Sequence, residues 1–302
     1  MTNTDDDESA NDCDRSQSES LTLSIRDGKQ IFGSSKSFNL KYYVDYELFK
    51  SSQTAVHVGR NRQTQLKVAV KFFKVNSYKD YLVKDTPKEV VLQKRAEKIS
   101  VRKGKGTVLK VLDWYVYQQK YIFVTEYNED FESLLNYKPK GSCQIDLEKE
   151  CKYIFKLLFK LIRKLNKKGI YHLDLKAENV LYNKKTKEIK LIDFGHAIST
   201  NPGKNPALNR ACGTPGLITP EQANEEYFYA RNADIWGVGQ TVFYCLQGKY
   251  PFENDDEVID KELEFTSKVS KSCKDFFVKL FAKKEEKRMR TKDIHNHPWL
   301  KK

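Results

Sequence analysis

The chain has 302 residues, 39% of them hydrophobic, with a mean hydropathy of −0.69. That length can bury a substantial core, and no apolar run is long enough to span a bilayer, which excludes a disulfide-stapled miniature and a membrane-embedded protein. Lys and Arg (54) exceed Asp and Glu (41) by 13; such a balance suits nucleic acid or an anionic surface, but the lysines lie dispersed without interleaved aromatic platforms, so a solvated basic surface is the favoured reading.

Residues 1–38 are Ser-rich and carry eight acids against four bases, with no apolar periodicity, and are expected to form a disordered acidic tail. Short β-rich runs follow at Ala55–Val58, Leu66–Phe73 and Tyr121–Thr125, interrupted by a charged helical stretch from Thr86 to Ile99. Beyond Glu126 the pattern turns helical: an amphipathic run at Tyr153–Arg163, then Asp234–Leu246, Ser272–Phe281 and Thr291–His297. Short strands are expected around Val180–Tyr182 and Ile189–Ile192. The pattern predicts an α+β fold: a β-rich lobe over 39–126, a hinge at 126–129 and an α-rich lobe over 130–302, with a cleft at the junction.

The six cysteines (Cys13, Cys143, Cys151, Cys212, Cys245, Cys273) form no CxxC pair, and the N-terminus lacks a basic-then-apolar signal. Zinc and secretion are therefore not expected, and a reducing cytoplasm or nucleus fits. His295 and His297 have no thiolate or carboxylate at ligand spacing, so they predict no metal site.

Chemistry concentrates in Tyr171-His172-Leu173-Asp174-Leu175-Lys176-Ala177-Glu178-Asn179-Val180-Leu181 and, twelve residues on, Asp193-Phe194-Gly195. Two carboxylates, an ammonium and an amide form the inventory for moving a phosphoryl group from a Mg-bound nucleotide to a hydroxyl, a reaction that needs positioning and charge neutralisation more than covalent help. Upstream, alternation along Val68-Ala69-Val70-Lys71 puts Ala69 and Lys71 on one face, and Glu89 is the carboxylate that could hold Lys71. Downstream stand Cys212-Gly213-Thr214-Pro215 through Pro220-Glu221, Asp234-Ile235-Trp236-Gly237 and Arg288.

In this order the pieces resemble the protein kinases over residues 40–302, the calcium/calmodulin-dependent group within them, and the Pim kinases most closely. The Pim likeness rests on Lys88-Glu89-Val90-Val91-Leu92, Val111-Leu112-Asp113-Trp114, Glu188–Gly195 and Tyr250-Pro251-Phe252-Glu253. The resemblance implies a serine/threonine kinase, monomeric, using ATP and Mg²⁺. Asp174 would be the base, Lys176 would neutralise the transferred phosphoryl, and Thr214 would bond to both. Asn179 and Asp193 would hold Mg²⁺, and Lys71, held by Glu89, would reach the phosphates. Leu48, Val56, Ala69, Thr125, Glu126, Asn128 and Leu181 would surround the nucleotide, with hinge bonds from the Glu126 carbonyl and the Asn128 amide. His172, Glu221, Asp234 and Arg288 would be structural, Glu221 pairing with Arg288. Glu178 and Glu132 would select basic side chains on the protein substrate, with the acids of residues 253–257 as a further patch.

Three departures stand out. The phosphate-covering stretch Phe49-Lys50-Ser51-Ser52-Gln53-Thr54-Ala55-Val56 lacks all three expected glycines, so weaker ATP binding is expected, with Ser51 or Thr54 hydroxyls replacing amide contacts. Leu173 stands where many kinases have an arginine that grips a phosphorylated loop, which predicts activity without phosphorylation at Ser199, Thr200 or Thr214. Gln93 replaces an apolar residue behind the helix of Glu89 and is expected to loosen it. A pseudokinase scaffold is the alternative these departures raise.

Overall fold

Alternate burial along one strand organises the first lobe: Val68, Val70 and Phe72 are buried, while Ala69 and Lys71 between them are only partly covered. A computed structural model describes residues 23–301 apart from 27–28, 33–35, 53, 75–81, 84–85, 118–119, 138–143 and 211. In chain order it contains β1 (Leu23–Arg26), β2 (Lys29–Phe32), α1 (Lys36–Lys41), β3 (Tyr42–Lys50), β4 (Thr54–Asn61) and β5 (Lys67–Lys74). The two-residue strands β6 (Leu82–Val83) and β7 (Thr86–Pro87), α2 (Lys88–Ala96), β8 (Gly106–Val108), β9 (Val111–Tyr117) and β10 (Lys120–Glu126) follow. Seven of these strands form one sheet in the order β1-β2-β3-β4-β5-β10-β9. One face buries Phe38, Tyr42, Val44, Val68, Val70, Phe72, Ile122 and Val124; α2 packs on β9 beside it.

Ordered elements therefore begin upstream of residue 39. Phe38, assigned above to the tail, is wholly buried because it is an aromatic side chain in a sheet core, and β2 pairs with β3. Residues 1–22 lie outside the described residues.

The second lobe is built on two long helices, α3 (Gln144–Lys167) and α5 (Ala230–Gln247), which pack together. Around them lie β11 (Glu132–Ser133), β12 (Ile170–Tyr171), β13 (Val180–Asn183), β14 (Glu188–Leu191), β15 (Ile198–Ser199), β16 (Ala207–Leu208), α4 (Pro220–Ala223) and β17 (Phe228–Tyr229). The helices α6 (Asp255–Asp260), α7 (Lys271–Leu280) and α8 (Pro298–Lys301) complete it. The inner faces of α3, α5 and α7 share one core containing Phe155, Leu158, Trp236, Phe243, Phe276 and Trp299. Gly248, in the left-handed region at φ 75°, ends α5, where a side chain would be strained.

The helix expected over Thr291–His297 is not formed. Proline disfavours helical backbone in the residue before it, and His297 is extended (φ −61°, ψ 138°), leaving one 3₁₀ turn at Ile294–Asn296 and the short α8. The cations expected to be dispersed are instead partly gathered: Lys149, Lys152, Lys156, Lys160, Arg163 and Lys167 recur every three or four residues and so share the outer face of α3. Cys151, Cys212, Cys245 and Cys273 are free thiols, while Cys13 and Cys143 fall outside the described residues. Among the described residues no group of three or more His, Cys, Asp and Glu is placed to hold a metal, and no helix is long and apolar enough to cross a membrane.

Candidate active site

Strand register gathers the residues of the upper wall. Val56 lies opposite Lys71 on β4 and β5, and Thr125 lies opposite Ala69 on β5 and β10. Directly paired residues project to the same side. Val56, Ala69, Lys71 and Thr125 thus share the sheet face opposite the Val68–Val70–Phe72 core. Leu48 stands half exposed on β3 near the turn, and Leu181 is partly covered on β13 in the second lobe.

The glycine-free turn between β3 and β4 closes on itself. The Ser51 amide donates to the Thr54 carbonyl at 2.7 Å, and the Thr54 amide donates to Ser51 Oγ at 3.1 Å. Ser51 Oγ also donates to the Thr54 carbonyl at 3.3 Å. The Ser51 hydroxyl is therefore engaged in the turn, whereas the turn's bonds use the amide and carbonyl of Thr54 and not its hydroxyl.

Lys71 Nζ lies 3.0 Å from Glu89 Oε1 on α2 and 3.2 Å from Asp193 Oδ2. Burial works against the Lys71 ammonium, but the two carboxylates together hold its pKa well above the ordinary range. Burial likewise works against ionised Asp193, yet Lys71 and the Gly195 N–H bring its pKa down to about 2. For Glu89 burial outweighs the lysine and raises the pKa. Asp193 has φ 61°, the left-handed conformation that aims its carboxylate back at the Gly195 amide.

The loop after β12 is shaped from beneath. Asp234, wholly buried on α5, accepts the main-chain N–H of His172 at 3.1 Å and of Leu173 at 2.8 Å, and the Asn166 amide at 2.7 Å. These bonds hold Leu173 at φ 63°. His172 Nε2 meets the Ile192 carbonyl at 3.0 Å and its ring packs edge-on to Phe194. On this frame Asp174 Oδ1 accepts the Thr214 hydroxyl at 2.7 Å, Lys176 Nζ donates to Thr214 Oγ1 at 2.7 Å, and Lys176 Nζ lies 3.0 Å from Asp174 Oδ2. The Asn179 amide nitrogen donates to the Asp174 carbonyl at 2.8 Å and to Oδ2 at 3.1 Å. That orientation turns Asn179 Oδ1 away as a free hard acceptor. With the Asp193 carboxylate it forms a donor set suited to Mg²⁺, which takes one or two protein oxygens and fills its octahedron with phosphate and water.

At the hinge, the Asn128 side-chain oxygen accepts the Asp130 amide at 2.9 Å and its carbonyl accepts Phe131 at 3.1 Å, a tight turn. Glu126 is engaged twice, by the Lys110 amide at 3.0 Å and by Lys190 Nζ at 2.8 Å. Glu132 is exposed on β11, opposite Tyr182. Glu178 accepts the Tyr250 hydroxyl at 2.5 Å, and the same hydroxyl accepts the Ala177 amide at 2.9 Å. Glu221 and Arg288 pair bidentately at 2.6 Å and 3.1 Å, both buried.

Leu173 is buried with Tyr171, Phe228 and Ala230, and Cys212 and Leu208 pack on them. The segment after Gly195 is stitched down beside it: β15 pairs with β12, β16 pairs with β17, the Ala230 amide donates to the Pro206 carbonyl, and the Tyr171 hydroxyl bonds the Lys204 carbonyl. Sequence reasoning missed Tyr250 as the partner of Glu178, and it missed Asp255, which accepts the Gly216 amide at 2.6 Å. It also missed that the Gln93 amide donates to the Leu109 carbonyl at 2.8 Å, so this side chain ties α2 down and does not loosen it. For Gln93 the available signal was an amide following the apolar run Val90-Val91-Leu92, but its main-chain partner, like that of Asp255, leaves no trace in side-chain spacing.

Residues 50–300 match the family described as protein kinase domain. Similar curated proteins include myosin light chain kinase A of Dictyostelium discoideum, 28% identical over 86% of this chain and 88% of its own length. Myosin light chain kinase family member 4 of Mus musculus is 29% identical over 81% of this chain and 62% of its own length. The SNF-related serine/threonine-protein kinase of Homo sapiens is 35% identical over 45% of this chain and 18% of its own.

Proposed function

The chain belongs to the protein kinase family and is a serine/threonine protein kinase, and from that premise we propose the part each residue takes in moving the γ-phosphoryl group of ATP to a protein hydroxyl. Asp174 orients the hydroxyl and accepts its proton, a role that contributes about 10²–10⁴ in rate. Lys176, fixed by Thr214, neutralises charge on the transferred group, and Lys71 holds the α- and β-phosphates. Asn179 and Asp193 would hold Mg²⁺, which when bound neutralises phosphate charge. Leu48, Val56, Ala69, Thr125 and Leu181 enclose the adenine, and the Glu126 carbonyl and Asn128 amide give its hinge bonds. The observation that carries this reading is the closed triangle of Asp174, Thr214 and Lys176, at 2.7 Å, 2.7 Å and 3.0 Å. A scaffold would have no use for it.

The substrate is a serine or threonine in a basic peptide. Glu132 and Glu178 support that preference, although Tyr250 takes one oxygen of Glu178 and leaves the other for a guanidinium. Turnover is independent of phosphorylation at Ser199, Thr200 or Thr214, since packing around Leu173 does what a phosphate would otherwise do. The quoted motifs support a place near the Pim branch, and the free thiols support the cytoplasm or nucleus as the compartment. The closed, glycine-free turn favours one other reading, a scaffold with weakened nucleotide binding.

Labelled ATP with Mg²⁺ and a degenerate peptide library tests this, beside Asp174→Asn. The expected result is transfer to Ser/Thr peptides rich in Arg or Lys, with Asp174→Asn lowering kcat by about 10²–10⁴. Nucleotide binding without transfer would establish the scaffold. A library preference for acidic or proline-directed sites would overturn the substrate class.

A further inference from the structure

We propose that Gln93 and Glu97 form a two-point latch on the main chain of residues 109–111 that holds α2, and with it Glu89, in place against Lys71. This deepens the kinase reading and rests on it.

Gln93 is almost fully buried, and its amide donates to the Leu109 carbonyl at 2.8 Å. One helical turn later Glu97 Oε1 accepts the Val111 amide at 2.7 Å. Residues four apart lie on one face of a helix, and a carbonyl and an amide two residues apart in an extended chain point the same way. Gln93 and Glu97 therefore grip one edge of the same short ribbon. Its other edge is gripped by the hinge: the Lys110 amide donates to Glu126 Oε1 at 3.0 Å, and the Glu126 amide donates to the Lys110 carbonyl at 3.0 Å. The Leu109 amide in turn donates to the Leu191 carbonyl at 2.9 Å, two residues before Asp193. Residues 109–111 thus join α2, the hinge and the strand that presents Asp193.

An apolar residue at position 93 would pack and slide. An amide cannot, because its bond has a fixed length and the buried group is costly to leave unpaired. Swinging α2 outward would break the bonds of Gln93, Glu97 and Glu89 together. At its start Pro87, the N-cap, makes no side-chain cap bond, and the first turn is held by the packing of Val90 on Val111, Tyr121 and Phe123 and by the Glu89–Lys71 pair. In this arrangement α2 needs no phosphorylated segment to draw it in, and Gln93 and Glu97 are positioning residues that touch no substrate.

The test uses phosphatase-treated full chain and the variants Gln93→Leu, Glu97→Ala and Glu97→Gln, with two readouts. In steady-state assays, Gln93→Leu and Glu97→Ala should lower kcat by roughly ten-fold or more with the peptide KM unchanged, the cost of one or two lost buried bonds. Glu97→Gln keeps the accepting oxygen and should retain most of kcat. In hydrogen exchange, amides of α2 should exchange at least about ten-fold faster in Gln93→Leu and Glu97→Ala, with α5 unaffected. Unchanged exchange in α2 overturns the latch whatever the activity. Wild-type kcat in the double variant Gln93→Leu/Glu97→Ala overturns it as well. A fall of Tm with kcat and KM drifting together, unrescued by Glu97→Gln, would make the two residues merely structural. The kinase reading fails separately, if the wild-type chain shows no turnover that depends on Asp174.

Discussion

At the scale of single residues, Leu173 shows how one substitution changes what holds a loop. An arginine there would need an anion beside it, whereas leucine is covered by Tyr171, Phe228 and Ala230. Placing a cation in that apolar setting without a partner is expensive, because a buried charge keeps its desolvation cost when nothing pairs with it. Leu173→Arg should therefore lower both Tm and kcat, and phosphorylation should restore neither. Thermal unfolding of the variant and assays on it before and after phosphatase treatment check this. A variant that gained activity on phosphorylation would show that packing is not what holds the segment. The residue types at Lys71, Asp174, Asn179 and Asp193 were readable because the chemistry of phosphate dictates them. The hydroxyl of Tyr250 on Glu178 was not, since a tyrosine has many structural uses and nothing in the spacing marks this one.

At the scale of elements, the turn between β3 and β4 has exchanged backbone freedom for internal bonds. Glycines let a loop bring several N–H groups close to phosphate oxygens. Here the Ser51 amide, the Ser51 hydroxyl and the Thr54 amide are taken up within the turn before any ligand arrives. Restoring glycine at Phe49, Ser51 and Thr54 together should tighten Mg-ATP binding by roughly ten-fold, about one net hydrogen bond's worth. Nucleotide titration of wild type and triple variant measures the difference; equal Kd values would show that the turn does not limit affinity. Of the strands that were legible, β5 has period-two burial, whereas β10 was marked by a continuous apolar run that is buried from Tyr121 to Val124, and β4 by its β-branched residues. β3 was hidden, because its C-terminal half, from Asp45 to Lys50, is exposed and carries no alternation. Helices α3, α5 and α7 followed from apolar periodicity, whereas the run at Thr291–His297 has one apolar residue, Ile294, and ends against Pro298. Local backbone exclusion ended it there.

At the scale of the whole molecule, buried charges tie the lobes together and make stability depend on pH. Asp193 joins the lobes through Lys71, and its pKa in the fold is about 2 because Lys71 and Gly195 outweigh burial. Glu150 is depressed too: burial raises it, but bonds from Lys187, Tyr137 and Tyr182 prevail and anchor α3 to β13. A depressed carboxylate contributes stability that is fully present above its unfolded pKa, near 4, and is lost as pH falls through its folded value. Glu89 runs the opposite way. Burial raises its pKa above the unfolded value, so ionising it costs stability, and acidification from neutral pH toward about 4 relieves that cost. The two signs predict a profile that rises slightly from neutral pH toward about 4 and then falls steeply toward pH 2. Thermal unfolding across pH 2–8 tests it, with Asp193→Asn and Glu150→Gln as controls. Each control removes one depressed carboxylate, so each should be less stable than wild type at neutral pH and should lose less on going to pH 2. A wild-type midpoint already falling at pH 6 would mean that neutral histidines, such as the deeply buried His57 whose pKa burial lowers, control acid unfolding instead.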